Sequence, residues 1–173
     1  MIYFICLIAY SSWKYKIFSF KDSRGDFLKV YDSNKLLSLD NVKEVFVTTS
    51  KKNTLRGMHY QKKPFEVSKI VICLQGKVLD VIVNINKNSN DFGKVMHTPL
   101  SQGEGVLIPK DYAHGFYSEE NSQILYITDQ LYSSDYEDGY FWNSIKFNLP
   151  SDNPLLSERD SQLPFLNKNI WAT

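Results

Sequence analysis

The stretch Val67–Ile85, which reads VSKIVICLQGKVLDVIVNI, contains two apolar runs separated by Gln75-Gly76. The runs Val67–Leu74 and Lys77–Ile85 are rich in valine and isoleucine, and short runs of this kind bounded by turn residues are typical of strands. The first run is apolar on nearly both faces, which indicates a strand that lies between two layers. This stretch therefore predicts strands inside a layered β-structure.

The same β pattern continues along most of the chain. Turn-forming residues separate the runs, for example at Asp22–Gly25, Asn86–Asp91 and Gln102–Gly105. Many short strands with few helical stretches predict a sandwich, a jelly roll or a small barrel. The further predicted strands are Lys14–Phe20, Phe27–Tyr31, Val42–Thr49, Lys94–Leu100, Gly105–Ile108, His114–Tyr117 and Gln123–Gln130.

The two ends of the chain depart from this pattern. Met1–Tyr10 is an apolar run, too short for a bilayer span of about 20 residues and without the basic region and cleavage site of a secretory signal. We interpret it as an edge strand or as residues from an early start codon. Lys35–Leu39 fits one helical turn. We expect one domain, with the barrel over 14–150 and loops with a short helix over 151–173.

Composition excludes several classes of protein and site. The 173 residues carry 20 Lys plus Arg against 19 Asp plus Glu, so bulk charge does not hold this chain to nucleic acid. Two cysteines cannot build a disulfide framework or a thiolate zinc site, and they fit a reducing cytoplasm. No stretch predicts a membrane span. The three histidines His59, His97 and His114 are the few imidazoles available for acid–base chemistry near neutral pH.

The densest polar cluster is Asn53–Gln61, which reads NTLRGMHYQ. On a straight strand His59 and Gln61 share one face and Arg56 lies on the other. Gly57 would allow a bulge that changes the direction of one side chain relative to the other. Taken alone, a histidine in a strand is more often a packed residue than a catalyst.

A lysine inside the apolar run is the second unusual feature. Lys69 either reaches solvent at a sheet edge, pairs with an acid, or lies in a pocket with a lowered pKa. The local sequence leaves these alternatives open.

Five separated segments occur together in one order: the Arg56-Gly57-x-His59-Tyr60-Gln61 run, Lys69, Ile108–Phe116 (IPKDYAHGF), the Leu125-Tyr126-x-Thr128 strand and Leu156–Asp160 (LSERD). With Asp22–Phe27 and the Glu137-Asp138-Gly139 run, they make the sequence resemble the nucleotide-sugar 3,5-epimerase family, typified by dTDP-4-dehydrorhamnose 3,5-epimerase. The resemblance extends from about Phe18 to Pro164, and several motifs in the right order are specific where one alone would be weak.

The resemblance implies an all-β, cupin-type jelly roll (a double-stranded β-helix) that forms a cytoplasmic homodimer and uses no metal or organic cofactor. It implies epimerisation at C3, C5 or both of a 4-keto-6-deoxy sugar on a nucleoside diphosphate, dTDP by default, in deoxysugar or surface polysaccharide biosynthesis. His59 matches the base, Asp160 its carboxylate partner, Lys69 the cation beside the enolate and Tyr126 the acid on the opposite face. The positions that match substrate-binding residues are Arg24, Arg56, His114, Gln61 and Glu137.

Each of these residues also has a structural alternative. Tyr126 would fit the barrel wall, and Asp160 would fit the first turn of a helix over Ser161–Leu166. Arg24 would serve its own turn, and His114 would hydrogen-bond inside the core. Only the joint match favours the functional interpretation.

The sequence departs from the family pattern on its ligand-binding side. Lys29 replaces a glutamate, Glu44-Val45-Phe46 replaces a Gln-x-Asn run, Ile72 replaces an arginine, and Leu131-Tyr132 replaces paired tyrosines. The residues for proton transfer are all present. The identity of the nucleotide and the number of inverted centres therefore stay open at this point.

Three rival functions compete with the epimerase. A 3,4-ketoisomerase of the same barrel class would carry an Ala-His pair after the histidine base, where Tyr60 and Gln61 stand. A metal-binding cupin needs a cluster of ligands with an H-x-H motif, which the sequence lacks. A non-catalytic sugar-binding jelly roll would not need Lys69 and Asp160 near His59.

Overall fold

The computed structural model describes residues 14–32, 39 and 41–166. The predictions for Met1–Tyr10 and for nearly all of Lys35–Leu39 fall outside these residues, as does the end of the C-terminal segment after residue 166. The strands are β1 (Lys14–Lys16), β2 (Phe18–Asp22), β3 (Gly25–Lys29), β4 (Glu44–Ser50), β5 (Leu55–Gln61), β6 (Lys69–Gln75), β7 (Lys77–Asn84), β8 (Val95–Ser101), β9 (Glu104–Ile108), β10 (Tyr112–Ser118), β11 (Ser122–Thr128) and β12 (Glu137–Gly139). A 3-10 turn spans Trp142–Ser144, and helix α1 spans Glu158–Ser161.

The strands form two antiparallel sheets of five strands each. The first sheet has the order β1-β9-β6-β11-β4 and the second the order β12-β5-β10-β7-β8, while β2 and β3 make a separate hairpin. Apolar side chains from both sheets meet in one buried cluster, which includes Val71, Ile82, Phe116 and Ile124. The predicted all-β cupin-type jelly roll is confirmed.

Strand β6 is buried on both of its faces, as its apolar run predicts. Val71 and Cys73 point into the cluster between the sheets. Ile70 and Ile72 point the other way, into a second cluster beneath the N-terminal strands. The alternation of side chains along a strand makes two buried faces require a nearly continuous apolar sequence.

The C-terminal part covers the outer face of the second sheet. Ile145 and Leu166 are buried there, and Trp142, Phe147 and Leu156 pack around them against Val81 and other strand residues. A single helical turn, α1, completes this segment. None of the helices within the described ranges has the length and apolar character that crossing a membrane requires.

Some strand boundaries differ from the predicted ones. The predicted strand Lys14–Phe20 is divided at the buried Ile17, because β1 pairs with β9 while β2 pairs with β3. The predicted strand Phe27–Tyr31 begins and ends two residues earlier, directly after the turn. Strand β12 was not predicted, since three residues with two acids carry no β pattern.

A bulge in β5 at Gly57 determines which side chains of this strand face the same way. His59 is opposite His114 and Arg56 is opposite Phe116, so β5 uses three steps where β10 uses two. The extra residue brings Arg56 and His59 onto one side of the strand, as the Gly57 hypothesis requires. Gly57 has a φ of +110°, and a Cβ there would lie 2.6 Å from the backbone of both His114 and Gly115. Only glycine fits this position.

Candidate functional site

A cavity of about 430 Å³ opens between the two sheets. Its walls come from β4, β6 and β11 of the first sheet, from β5, β10 and β12 of the second, and from the segment around α1. The side chains that line the cavity include His59, Lys69, His114, Tyr126, Glu137, Arg159 and Asp160, together with Arg56, Phe46, Thr48 and Tyr132.

His59 and Asp160 form a hydrogen-bonded pair at this cavity. His59 Nε2 lies 2.7 Å from Asp160 Oδ1. A carboxylate accepts only, so this ring nitrogen donates, and the other ring nitrogen keeps its lone pair. The pair has the arrangement of a base and its orienting carboxylate.

Helix α1 holds the carboxylate of Asp160 in place. Ser157 is the N-cap, and its side-chain oxygen accepts a hydrogen bond from the backbone N–H of Asp160 at 3.1 Å. The backbone N–H of Gly57 donates to Asp160 Oδ2 at 3.3 Å. Burial raises the pKa of Asp160, but hydrogen bonds from His59 and Gly57 and the charges of His59 and Arg159 outweigh it and hold the pKa below its usual value. Asp160 is therefore a carboxylate at neutral pH.

Arg159 connects the His59–Asp160 pair to the mouth of the cavity. Its Nη2 donates to Glu137 Oε1 at 3.1 Å and lies 3.4 Å from His59 Nδ1, the ring nitrogen that keeps its lone pair, and Nη1 is ion-paired with Glu137 Oε2. The Tyr132 hydroxyl donates to Glu137 Oε2 at 2.6 Å. Tyr132, Glu137 and Arg159 thus form one network beside the histidine.

Lys69 faces the cavity from the first residue of β6. Strand β6 is central in its sheet, and Thr128 of β11 and Ile108 of β9 flank Lys69 on either side. Burial lowers its pKa to about 8, against the opposing effects of Glu137 and Asp80. The structure thus places Lys69 in a pocket and not at a sheet edge.

Tyr126 faces the cavity from β11, in the sheet opposite to that of His59. Its ring stacks on Phe46 of β4, with centroids 4.8 Å apart and an interplanar angle of 9°. The edge of His114 meets it at a centroid distance of 6.1 Å. Burial is the largest of the effects that raise its pKa well above 10, so the side chain is a phenol throughout the neutral range.

His114 is buried and paired with an acid of the neighbouring strand. Its Nε2 lies 2.8 Å from Asp80 Oδ2, and both side chains are almost fully buried. Burial lowers the pKa of His114, and Lys69 and His59 act in the same direction, while Asp80 opposes them. His114 is therefore a neutral, fixed hydrogen-bonding group in the cavity wall.

Arg56 lies at the cavity with its Nε donating to Ser50 Oγ at 2.9 Å. Gln61 also lines the cavity, but the structure gives it a different role from the predicted substrate contact. Its Nε2 donates to the carbonyls of Phe65 and Leu131, and its Oε1 accepts from the N–H of Ser133 at 2.6 Å. These three backbone contacts engage its amide, so Gln61 holds the loop that carries Tyr132.

Arg24 does not reach the cavity of its own chain. It lies at the tip of the β2–β3 hairpin, where its side chain is 86% exposed and pairs with Asp22 at 2.6 Å. The hairpin is a separate two-stranded sheet, and this accounts for the distance from the cavity. His97 is exposed on β8 and does not line the cavity.

Two of the departures from the family pattern lie in the cavity wall. Glu44 and Phe46 line it, and Glu44 Oε2 accepts from the N–H of Tyr132 at 2.9 Å. Ile72 is instead fully buried in the second apolar cluster, and Lys29 pairs with Asp32 at 3.8 Å. The change in the lining is therefore concentrated on β4 and on Tyr132.

Sequence reasoning missed the parts played by Arg159, Tyr132, Asp80 and Thr48. Arg159 stands beside Asp160 in the LSERD segment, so its position was a usable signal. Asp80 is an acid inside the apolar run Val78–Val83, which also invites attention. Nothing in the local pattern distinguishes Thr48 from its neighbour Thr49.

The arrangement supplies a base, a cation and an acid around one space. His59 approaches from the second sheet and Tyr126 from the first, so a ring bound between them meets a base on one face and an acid on the other. Lys69 adds a cation to the same cavity, and a cation there can stabilise a developing enolate oxygen. Within the described residues, no three His, Cys, Asp or Glu side chains cluster as a metal site requires.

Comparison with known proteins agrees with this geometry. The family model described as dTDP-4-dehydrorhamnose 3,5-epimerase matches residues 11–168. The dTDP-4-dehydrorhamnose 3,5-epimerase of Shigella flexneri is 37% identical over 150 residues, which is 82% of this chain and 83% of that protein.

Solved structures show the same likeness in three dimensions. The epimerase of that name from Bacillus anthracis, with TDP and PPi bound, gives a TM-score of 0.82 at 31% identity and covers 88% of this chain and 93% of its own. The Legionella pneumophila dTDP-6-deoxy-D-glucose-3,5-epimerase, in complex with dTDP-4-keto-L-rhamnose, gives 0.82 at 27% identity over 90% of this chain and 87% of its own.

Proposed function

Since this chain belongs to the dTDP-4-dehydrorhamnose 3,5-epimerase family and is an isomerase, we propose that it inverts C3, C5 or both of a dTDP-linked 4-keto-6-deoxy sugar. The observation that carries the proposal is the placement of the His59–Asp160 pair and Tyr126 on opposite sheets of one cavity. Inversion at carbon needs a base and an acid on opposite faces, and this cavity offers both.

The reaction begins with removal of a proton next to the C4 carbonyl. His59 takes the proton, the C–H electron pair forms the enolate, and Asp160 stabilises the imidazolium that results. Lys69, below its pKa of about 8, carries the positive charge that stabilises the enolate oxygen. Tyr126 then gives its phenolic proton to the carbon from the other face, which completes the inversion.

Arg56 and His114 bind the substrate in this proposal, and Glu137 acts through its neighbours. Arg56 binds the diphosphate, because a forked guanidinium matches phosphate oxygens. His114, held by Asp80, contacts the sugar. Glu137 orients Arg159 and Tyr132 at the mouth, and the exposed Tyr132 ring offers a flat surface for the nucleobase.

The three rival functions have less support. The relatives that match over most of the chain carry the name of an epimerase, and this supports epimerisation over ketoisomerisation. The convergence of Lys69 and Asp160 on the cavity of His59 favours catalysis over sugar binding alone. The described residues offer no ligand cluster that favours a metal-dependent cupin.

We further propose that the protein is a homodimer that completes each cavity with Arg24 of the partner subunit. The hairpin that carries Arg24 exposes three aromatic side chains, Phe18, Phe20 and Phe27, each more than half accessible. Strand β4, at the end of its sheet, exposes Val45 and Val47. Apolar surfaces of this kind mark contacts between proteins. The buried free thiol of Cys73 is consistent with the cytoplasm.

The catalytic proposal is tested with a synthetic dTDP-4-keto-6-deoxyglucose and the purified protein. After reduction of the ketone, NMR coupling constants give the configuration at C3 and C5. We expect inverted product at one or both carbons. Recovery of the sugar with both configurations unchanged would contradict the proposal. Replacing dTDP by CDP, GDP or UDP in thermal-shift measurements identifies the nucleotide.

The dimer proposal has a test of its own. Arg24→Ala and His59→Ala are each expected to lower activity strongly as pure dimers. In a mixed dimer, the subunit with Arg24→Ala keeps His59 and receives the intact Arg24 of the other subunit, so mixing should restore activity. No recovery on mixing, or a monomer in sedimentation, would contradict a shared site.

A further inference from the structure

Strand β4 presents alternate side chains to the cavity. Glu44, Phe46 and Thr48 line it, as expected for residues two apart on one strand. In the pairing with β11, Phe46 is opposite Tyr126 and Thr48 is opposite Ile124. Thr48 is therefore the diagonal neighbour of Tyr126 on the same face, a distance across which side chains interact.

The Thr48 hydroxyl is buried without a hydrogen-bond partner. Within the described part of the chain, its Oγ1 is the single buried side-chain oxygen or nitrogen that no other group contacts by a hydrogen bond. Buried polar groups are nearly always paired, and an unpaired one in a native protein calls for a reason. Here the unpaired hydroxyl is in the wall of the catalytic cavity.

Tyr126 needs a donor nearby when it loses its proton. Burial and the charge of Asp80 raise the pKa of Tyr126, so they disfavour the phenolate. Arg56 and the Thr48 hydroxyl act in the opposite direction. Phe46, which covers the flat side of the ring, has no donor, and His114 directs Nε2 to Asp80.

We propose that Thr48 is a positioning residue for Tyr126, whose hydroxyl donates a hydrogen bond to the phenolate oxygen as Tyr126 protonates the enolate carbon. This inference rests on the proposed function, in which Tyr126 is the acid. The phenolic O–H bond breaks, a C–H bond forms at the sugar, and the negative charge moves from the enolate to the Tyr126 oxygen. Before the next turnover, solvent water takes the proton that His59 removed from the sugar and returns a proton to Tyr126.

The hydrogen bond then strengthens as the reaction proceeds. In the resting protein Thr48 Oγ1 makes no hydrogen bond of normal geometry, although it is close enough to lower the pKa of Tyr126, and the full hydrogen bond forms when charge develops on Tyr126. An interaction that is stronger in the transition state than in the ground state accelerates the chemical step. The unpaired hydroxyl is thus a prearranged donor of the kind found in oxyanion holes.

The test compares Thr48→Val, Thr48→Ser and Thr49→Val in deuterated water. Thr48→Val keeps the shape and removes the hydroxyl, Thr48→Ser keeps the hydroxyl, and Thr49→Val makes the same change at the exposed neighbouring position. For each variant, deuterium entry with retained configuration and deuterium entry with inversion are measured separately, together with KM and the melting temperature.

We expect Thr48→Val to lower the rate of inversion by about 100-fold, the lower end of the range for loss of one donor to a developing oxyanion. Exchange with retention, which needs His59 but not Tyr126, should change less than threefold. Thr48→Ser and Thr49→Val should both retain the inversion rate and the wild-type ratio of inversion to exchange.

Three results would overturn this inference. Equal loss of exchange and inversion in Thr48→Val, or failure of Thr48→Ser to restore inversion, would indicate a packing role. A higher KM with an unchanged ratio would show that Thr48 contacts the sugar directly. A wild-type protein that neither exchanges nor inverts would reject the proposed function itself, and this result is separate from any effect of the variants.

Discussion

His59 Nε2 and Asp160 Oδ1 lie 2.7 Å apart although the residues are 101 positions apart in the chain. One residue lies on a central strand and the other in a single helical turn near the C-terminus. The turn exists in this place because the segment after β12 folds back over the outer face of the second sheet. The His59–Asp160 pair is thus a product of the fold and not of any local motif.

Asp160→Asn should lower the exchange rate about 100-fold or more, within the range expected when a base loses its orienting carboxylate. The amide keeps the size of the side chain but is neutral. It therefore cannot stabilise the positive charge of the imidazolium, and its NH2 group can turn His59 to the wrong tautomer. The loss is measured as the rate at which deuterium from the solvent enters the sugar, compared between the variant and the wild-type protein. Glu158→Gln is the matched control, because Glu158 is an exposed acid in the same turn. Similar losses in both variants would argue against the pair.

Tyr126→Phe should slow inversion more than exchange. The ring and its stacking on Phe46 remain, but the proton for the opposite face is gone, so His59 returns the proton to the face from which it came. The ratio of inverted to retained deuterated sugar reports this directly. An equal loss of both processes would count against Tyr126 as the acid.

Activity should fall as pH rises through about 8, the lowered pKa of Lys69. Below this pH the side chain is an ammonium group that stabilises the enolate, and above it the charge is lost. An arginine keeps its charge to higher pH. In the pH–activity profile of Lys69→Arg, the alkaline limb, where activity falls, should therefore move to higher pH even if the maximal rate is lower. Lys77→Arg, at a half-buried position on the next strand that does not line the cavity, should leave the alkaline limb unchanged. An unchanged limb in Lys69→Arg would show that another group controls it.

Much of the fold could be predicted from local patterns. The apolar runs at Val67–Leu74 and Lys77–Ile85 identified strands β6 and β7, because burial on both faces needs continuous apolar sequence. The division at Ile17 could not be predicted, since it depends on which neighbours β1 and β2 find. Strand β12 is too short and too acidic to carry a β pattern of its own.

The candidate site was predictable in part and for two different reasons. The bulge at Gly57, which brings Arg56 and His59 to one cavity, follows from a glycine in a polar strand. Asp160 came from the resemblance alone, because no local property of LSERD indicates contact with a distant strand. Arg24 was predicted as a ligand contact, but it lies on a separate hairpin and does not line the cavity of its own chain.

Gly57→Ala should destabilise the fold more than Gly25→Ala. Both glycines have positive φ, +110° and +136°, so each substitution incurs backbone strain of about 1–3 kcal/mol. At Gly57 the new Cβ would also lie 2.6 Å from the backbone of β10, whereas nothing lies within 4 Å at Gly25. Urea unfolding measures the free energy of each variant. Equal losses would show that the close approach of β5 and β10 is unimportant.

The most direct test of the account is the deuterium content of the sugar after incubation of wild-type protein and dTDP-4-keto-6-deoxyglucose in deuterated water. Each proton that His59 removes is replaced from solvent, so NMR should show deuterium at C3, at C5 or at both, and His59→Ala should show none. A folded wild-type protein that leaves both positions fully protonated would contradict the account.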